Sequence, residues 1–168
     1  MSAFPIKVQP LSARHQPSIQ AFTCGVKFMD DYLRQGYALE ESNFARLFIA
    51  VDAADKTQVT GYYALHMMHI EARQTPAPLS RNLHRDAVVG AAHIVNFAVR
   101  KDLQGRGIGT DLFRSALKRI KGISKDVDTW AVVLDALNED AERFYRRFGF
   151  DTLASNTRRL YLPVSAIA

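Results

Sequence analysis

The sequence predicts a mixed α/β sheet with helices on its faces, and three observations carry that expectation. Strand-type apolar runs alternate with segments of helical periodicity in the order strand, helices, three strands, helix, strand, helix, two strands. A stretch holding three glycines spaced two apart, Phe97 to Thr110, stands at a junction between an apolar run and a helical pattern. The chain has 168 residues, 48% hydrophobic and 23% charged, which suits one folded domain over residues 1–168 with a substantial core.

Taken in order, residues 4 to 11 read as a short first strand, with Pro5 and Pro10 keeping it at an edge or near its ends. From Phe22 to Phe44 the pattern is helical. Val26, Met29, Tyr32 and Leu33 share one face, and Gly36 is expected to interrupt the run. Leu47–Val51 is a short apolar strand, Asp52–Thr57 a turn, and Val59 onward a second strand reaching about Ala72. Residues 74 to 90, with Pro76, Pro78 and several charges, read as a long loop with a helical turn near Leu83. Ala91 to Val99 is strand again.

Beyond the glycines, Ile108, Leu112, Phe113, Ala116, Leu117 and Ile120 recur at three- and four-residue spacings, and Gly122 is expected to end that helix. Trp130–Leu134 reads as a buried strand. Asn138 is suited to cap a further helix, with Glu139 and Asp140 in its first turn and Ala141, Phe144, Tyr145 and Phe148 as its buried stripe. Gly149 then stands where a helix-ending glycine belongs. Phe150 onward and Arg159–Val164 supply the last two strands.

The single cysteine, Cys24, cannot form an internal disulfide and suits a reducing, cytoplasmic setting. Met1–Lys7 lacks the apolar core of a signal peptide, and no run is long enough to span a membrane. A net charge of +5 hints only weakly at a polyanionic partner. His66 and His69, three apart in a strand, point to opposite faces and make a poor metal pair; no residue cluster has metal-ligand spacing.

By residue type, the glycine stretch is open to two readings: a flexible turn, or a loop whose free N–H groups face an anion at a helix N-terminus. Two nucleotide motifs fail. The phosphate-binding Walker pattern wants Lys then Ser/Thr after its last glycine, and Thr110-Asp111 follows here. The dinucleotide fingerprint wants G-x-G-x-x-G and finds G-x-G-x-G. What fits is Gln104-x-x-Gly107-x-Gly109 between a strand and an amphipathic helix. Phe97-Ala98-Val99 precedes it, and Asn138-x-x-Ala141-x-x-Phe144-Tyr145-x-x-Phe148-Gly149-Phe150 follows. Together these resemble the GNAT acetyltransferases. The resemblance implies the GNAT fold, a twisted and mostly antiparallel sheet of six to seven strands with about four flanking helices. It implies that Gln104, Gly105, Arg106, Gly107, Ile108, Gly109 and Thr110 cradle the pyrophosphate of acetyl-coenzyme A. It further implies that Phe97, Ala98 and Val99 meet the pantetheine arm, with Asn138 and Phe144 also on the cofactor.

A narrower resemblance rests on Phe22-x-Cys24-Gly25…Leu33, Ala45-Arg46-x-Phe48-Ile49-Ala50, Gly61-Tyr62-Tyr63-x-Leu65 and Val133-x-Asp135-Ala136. These are similar to the GNAT toxins of type II toxin–antitoxin pairs, the TacT/AtaT-like group. That resemblance implies acetylation of the free amine of aminoacyl-tRNA, a ribbon-helix-helix antitoxin partner and a homodimer. One departure stands out: the family commonly has Leu-Gly-Arg-Leu-Ala-Val before the loop, and Asn96 takes the arginine's place here. The alternatives are a GNAT enzyme acting on a small-molecule or protein amine, and a catalytically silent coenzyme-A-binding module.

Acetyl transfer to an amine needs a neutral nucleophile, a polarised thioester carbonyl and a proton for the departing thiolate. Aligning the two substrates supplies several kcal/mol without a covalent step, and a backbone N–H near Val99 is the natural oxyanion donor. The resemblance puts Tyr145 beside the thiol sulfur as general acid. A phenol of pKa about 10 protonating a thiolate of conjugate pKa about 8.5 is uphill by roughly 2 kcal/mol, a gap that the site is expected to narrow. No general base stands out; His66, His69, His84 and His93 qualify by type alone. Basic residues group as Arg81 and Arg85, then Lys118, Arg119, Lys121 and Lys125, then Arg143, Arg146 and Arg147, then Arg158 and Arg159. They are equally readable as phosphate contacts or as solvated helix faces. Arg46, Arg81, Arg85 and Asn96 are the candidate acceptor contacts.

Overall fold

Seven strands form one sheet in the order β1-β2-β3-β4-β5-β7-β6. They are β1 (Ile6–Pro10), β2 (Arg46–Asp52), β3 (Val59–Glu71), β4 (Val88–Val99), β5 (Ala131–Asp135), β6 (Asp151–Thr152) and β7 (Arg159–Pro163). The helices are α1 (Gln16–Ala21), α2 (Lys27–Arg34), α3 (Gly36–Glu41), α4 (Leu79–Asn82), α5 (Ile108–Ile123) and α6 (Glu139–Arg146). The computed structural model describes residues 4–77, 79–153 and 158–168; Met1–Ala3 of the N-terminal reading and Pro78 of the long loop lie outside them. The chain divides into two compact units: Met1–His66 with Val95–Ala116, and Met67–Ile94 with Leu117–Ala168.

In the first unit, β1, β2 and β3 form an antiparallel meander, registered Val8↔Ala50 and Ile49↔Tyr62. Pro10 ends the edge strand β1, where a missing N–H disturbs no inner ladder. Ile19 and Phe22 from the first helical segment join Leu33 of α2, Leu47 and Ile49 of β2, and Tyr62 and Ala64 of β3 in one core. The Tyr62 ring is fully buried, edge-on to Phe22 at 6.1 Å, and its hydroxyl donates to the Met29 carbonyl at 2.6 Å. A buried tyrosine needs such an acceptor, and a helix carbonyl supplies it.

The helical region differs from expectation in two places. Residues 16–21 form a helix, α1, that periodicity alone leaves out: Pro17 in its first turn is the start signal, but six residues are too few to show a stripe. The break between α2 and α3 falls at Gln35, while Gly36 is the first residue of α3. Gly36 is there for space, since a Cβ would come within 2.7 Å of Leu47 Cδ2.

In the second unit, β4 and β5 run parallel over Ala91–Ile94 and Ala131–Leu134, and β5 then pairs antiparallel with β7. Val95–Val99 of β4 lies outside that parallel ladder. Ile70, Ala91, Val133 and Leu153 make the core, with Trp130 stacked on Tyr161 at 5.4 Å. Gly122 does not stop α5; the helix continues through Ile123. A Cβ built on Gly122 has nothing within 4 Å, so its side meets only solvent. Gly122→Ala is therefore expected to raise stability by about 0.5 to 1 kcal/mol, through a smaller loss of backbone entropy on folding. A urea midpoint at or below the native value would refute it.

No helix among the described residues is long and apolar enough to cross a membrane. Among them no group of three or more His, Cys, Asp or Glu side chains is placed to hold a metal ion.

Candidate functional site

The glycine stretch occupies a continuous path from the end of β4 into α5. Ala98 and Val99 are buried, and Phe97 packs edge-on against Phe113 of α5 at 5.3 Å. After Val99 the chain turns through a short 3-10 segment, Lys101–Leu103, anchored by buried Leu103. Two backbone bonds hold the turn: Arg100 N–H donates to the Thr60 carbonyl and Lys101 N–H to the Thr23 carbonyl, both at 2.8 Å. Arg100 also grips Asp102 through its Nε at 2.7 Å, so this cation is committed to the turn.

Gly105 and Gly107 then take φ values of +76° and +84°, a region that side chains with a Cβ rarely adopt. Space beside Gly105 is open, with nothing within 4 Å of a built Cβ. Ile108 is buried and starts α5, but the first N–H to find a carbonyl in this turn is that of Asp111, which donates to Gly107 at 3.3 Å. The N–H groups of Ile108, Gly109 and Thr110 precede it and are the orphan donors of the helix start. A 16-residue helix adds its dipole to them, so the segment is built to take an anion.

Gln104 has a different task from its neighbours. Its carboxamide Nε2 donates to the Cys24 carbonyl at 2.9 Å and to the Val99 carbonyl at 3.0 Å. Arg106 is exposed, as are Gly105 and Gly107.

In the second unit, Asn138 caps α6 as expected: its Oδ1 accepts from the Ala141 N–H at 2.9 Å. The buried stripe is narrower than the periodicity implies. Tyr145 is the one buried residue of α6, whereas Phe144 and Phe148 are half-buried. Phe144 lies near the surface with Arg147 over its ring at 5.4 Å, and it meets Tyr145 edge-on at 5.3 Å. Tyr145 also packs against Phe150 at 6.2 Å. Burial pushes the Tyr145 phenol up from its usual value. This reverses the expected lowering, because desolvation penalises the phenolate. Gly149 follows at φ +96°, a backbone region in which glycine is at ease.

The remaining predicted residues are scattered by role. Arg46 closes the turn between α3 and β2, donating to the Glu40 carbonyl at 3.1 Å and to Asn43 Oδ1 at 2.7 Å. Asn43 is the one non-glycine residue with positive φ among the described residues, which explains that grip. Arg81 and Arg85 are exposed on the segment after the short 3-10 turn Ala72–Gln74. Asn96 is buried in β4, 8% exposed. Several cations are already paired. Arg146 binds Glu142 at 2.8 Å, Arg143 binds Asp140, and Arg159 binds Asp135 at 2.8 and 2.9 Å. His93 Nε2 lies 3.6 Å from the same Asp135 carboxylate, which Arg159 holds well below its usual pKa, opposed by partial burial.

Two groups escape the sequence reading. The first is Asp30, buried in α2, whose carboxylate takes the Cys24 N–H and the Thr23 hydroxyl at 2.8 Å each. The second is His15, fully buried, with its Nδ1 accepting the Ser12 N–H at 3.0 Å. A lone Asp in a helix stripe resembles a solvated face, and only the fold shows what it touches.

Residues 18–150, which take in the strand end, the positive-φ glycines and the helix start, match a family model of coenzyme-dependent acyl transferases: the chain belongs to the Acetyltransferase (GNAT) family. Among relatives, it is 29% identical over 169 residues to the "Probable toxin TacT" of Sinorhizobium fredii, spanning 95% of this chain and 92% of that protein. It is 28% identical over 145 residues to a "tRNA-acetylating toxin" of Mycobacterium tuberculosis, spanning 86% of this chain and 84% of that one. Among solved structures, AtaT complexed with acetyl-methionyl-tRNAfMet superposes with a TM-score of 0.86 at 23% identity, covering 97% of both chains. A tyrosine-to-phenylalanine mutant of KacT superposes with a TM-score of 0.87 at 23% identity, covering 96% of both.

Proposed function

We propose that this chain is a single-domain, acetyl-CoA-dependent N-acetyltransferase that acetylates the free amine of aminoacyl-tRNA and thereby acts as a toxin on translation. The observation that carries the donor is the pair of positive-φ glycines ahead of α5, which leaves the N–H groups of Ile108, Gly109 and Thr110 for a pyrophosphate. The acceptor is supported by the relatives: a tRNA-acetylating toxin at 28% identity and the fold of AtaT, which has been seen with acetyl-methionyl-tRNAfMet. AtaT has also been seen bound to acetyl-CoA and to the antitoxin AtaR. By the same reading this chain has an antitoxin of the ribbon-helix-helix kind, works in the cytoplasm and forms a homodimer.

In the proposed reaction the residues from Gly105 to Thr110, set in place by Gln104, hold the cofactor, with Phe97, Ala98 and Val99 along its pantetheine arm; Asn138 and Phe144 are further proposed cofactor contacts. The amine attacks the thioester carbonyl and sheds a proton to water, a backbone N–H at the Val99 end steadies the oxyanion, and Tyr145 protonates the departing thiolate as the C–S bond breaks and regains its proton from water. The α-amine of an aminoacyl ester has a lowered pKa and is substantially neutral near pH 7, so the first step asks little of a base. Arg46, Arg81, Arg85 and Asn96 are the proposed acceptor contacts.

The test is labelled acetyl-CoA offered to total aminoacyl-tRNA. Label that appears on the amino acid and is released with it by base supports the proposal. Transfer to polyamines or peptides, with none to aminoacyl-tRNA, overturns the acceptor.

A second prediction follows from charge. Arg81, Arg85, Lys118, Lys125 and Arg147 are exposed, whereas Arg143, Arg146 and Arg159 face carboxylates. With about three phosphate contacts, kcat/KM toward tRNA should fall tenfold or more between about 50 and 200 mM salt. Turnover of a short aminoacyl ester lacking the tRNA should stay nearly flat over that range. Equal salt curves for the two would deny the basic surface a part in acceptor binding.

A further inference from the structure

The segment Phe22-x-Cys24-Gly25 is a motif with no part in the reaction described above, yet it is tied to the glycine loop by a chain of short bonds. Asp30 lies within the α2 helix, 7% exposed. Its Oδ1 accepts the Cys24 N–H and its Oδ2 the Thr23 hydroxyl, both at 2.8 Å, while the same hydroxyl oxygen accepts the Gly25 N–H at 3.1 Å. Gly25 has φ +92° and completes a tight turn. With the Cys24 and Gly25 N–H groups and the Thr23 hydroxyl satisfied from within, the turn presents two backbone carbonyls. That of Thr23 accepts the Lys101 N–H at 2.8 Å, and that of Cys24 accepts Gln104 Nε2 at 2.9 Å. Gln104 spends its other amide proton on the Val99 carbonyl at 3.0 Å.

A carboxamide nitrogen carries two protons and can bridge two carbonyls while neutral. The bridge spans from the last residue of β4 to the α1–α2 connection, just before the chain enters Gly105. Neither Gly105 nor Gly107 stiffens its own backbone, since both lack the Cβ that would restrict it. The path of the loop is thus set from outside. Asp30 fixes the turn, and the turn and Gln104 fix where the loop begins.

We propose that Asp30 and Gln104 are positioning residues for the coenzyme: through the Thr23–Gly25 turn they hold the start of the glycine loop in its anion-binding shape, without themselves touching the ligand. This rests on the reading of Gly105–Thr110 as the pyrophosphate cradle. Gln104 is exposed apart from its amide, so replacing it leaves the buried core alone. In Gln104→Glu a carboxylate faces two carbonyl oxygens, and like partners repel where donors had bound.

The measurement is calorimetric binding of coenzyme A, with no acceptor present, together with the steady-state KM for acetyl-CoA. At pH 8, Gln104→Glu is expected to bind coenzyme A about tenfold or more weakly, and to raise KM by a like factor while kcat changes far less. Acidification toward about pH 5 should return part of the affinity relative to wild type, because a protonated glutamic acid can again donate to one carbonyl. Asp30→Asn should weaken binding in the same direction, since its amide cannot accept from both donors with both of its heavy atoms. Wild-type affinity in Gln104→Glu at pH 8, or a deficit that ignores pH, overturns the proposal. Should Gln104→Glu fail to melt cooperatively, Gln104→Met decides instead, and wild-type coenzyme A affinity there overturns it. Absence of coenzyme A binding by the wild-type protein would instead refute the reading of the loop, and so is distinguishable.

Discussion

Tyr145→Phe is expected to bind coenzyme A as the wild type does and to turn over at least about a hundredfold more slowly, the usual scale for removing a general acid. The substitution is conservative in packing. The ring keeps its contacts with Phe144 and Phe150, and only the hydroxyl is lost. Burial raises the phenol's pKa, so the proton is held more tightly than in water and its transfer to a thiolate is uphill by more than the roughly 2 kcal/mol of the unperturbed pair. Such a proton moves only as charge builds on sulfur, which makes it a transition-state interaction, and its loss should appear in kcat with little change in KM. The raised pKa has a second consequence. The acid form persists throughout neutral and mildly alkaline pH, so this group should cause no fall in kcat below about pH 10. For stability the sign is the same: the contribution is fully present below the unfolded phenol's pKa and is lost as pH rises through the higher folded value. Turnover of Tyr145→Phe equal to wild type would remove this residue from the mechanism.

Which of these features the sequence discloses follows from what each one depends on. The strand–glycine–helix junction is legible because it is a local device: apolar residues up to Val99, glycines where the chain needs positive φ, and a stripe from Ile108 to Ile120 all lie within one stretch. Asn138 is legible for the same reason, since an N-cap reaches only three residues ahead to Ala141. What stays hidden depends on partners distant in sequence. Gln104 looks like a ligand of the loop, yet its amide is used on Cys24, 80 residues away. Gly36 looks like a breaker, yet its lack of a Cβ makes room for Leu47. Phe144 and Phe148 fit the periodic stripe with Tyr145, but only Tyr145 is buried, because an eight-residue helix turned toward one neighbour hides little more than one position fully. Arg46 and Arg146 count as positive charges in a composition, while in the fold each also holds turn or helix oxygens.

Gly61→Ala is expected to cost about 1 to 3 kcal/mol of stability and to weaken coenzyme A binding at the same time. Gly61 sits within β3, paired with Ala50 of β2, and its φ is not in the left-handed region, so alanine suits the backbone itself. The conflict is one of space. A Cβ there would lie 2.7 Å from the Ala98 carbonyl oxygen, 3.1 Å from Leu112 Cδ2 and 3.5 Å from Val99 Cα. Leu112 is the end of a flexible side chain and can turn aside, although it is fully buried and its displacement disturbs the α5 contact. The Ala98 carbonyl is main chain and cannot move alone. Either β3 and the Ala98–Val99 segment separate, or the strand end shifts, and that end carries both the Gln104 bond and the proposed pantetheine contact. Stability and cofactor affinity should therefore fall together, unlike Gln104→Glu, where affinity falls with little change in melting. Chemical unfolding and calorimetry on the same preparation measure both. A Gly61→Ala protein with a native unfolding midpoint would mean that the sheet yields at this point at no cost. One that is destabilised yet binds coenzyme A normally would detach the Ala98–Val99 strand end from the cofactor.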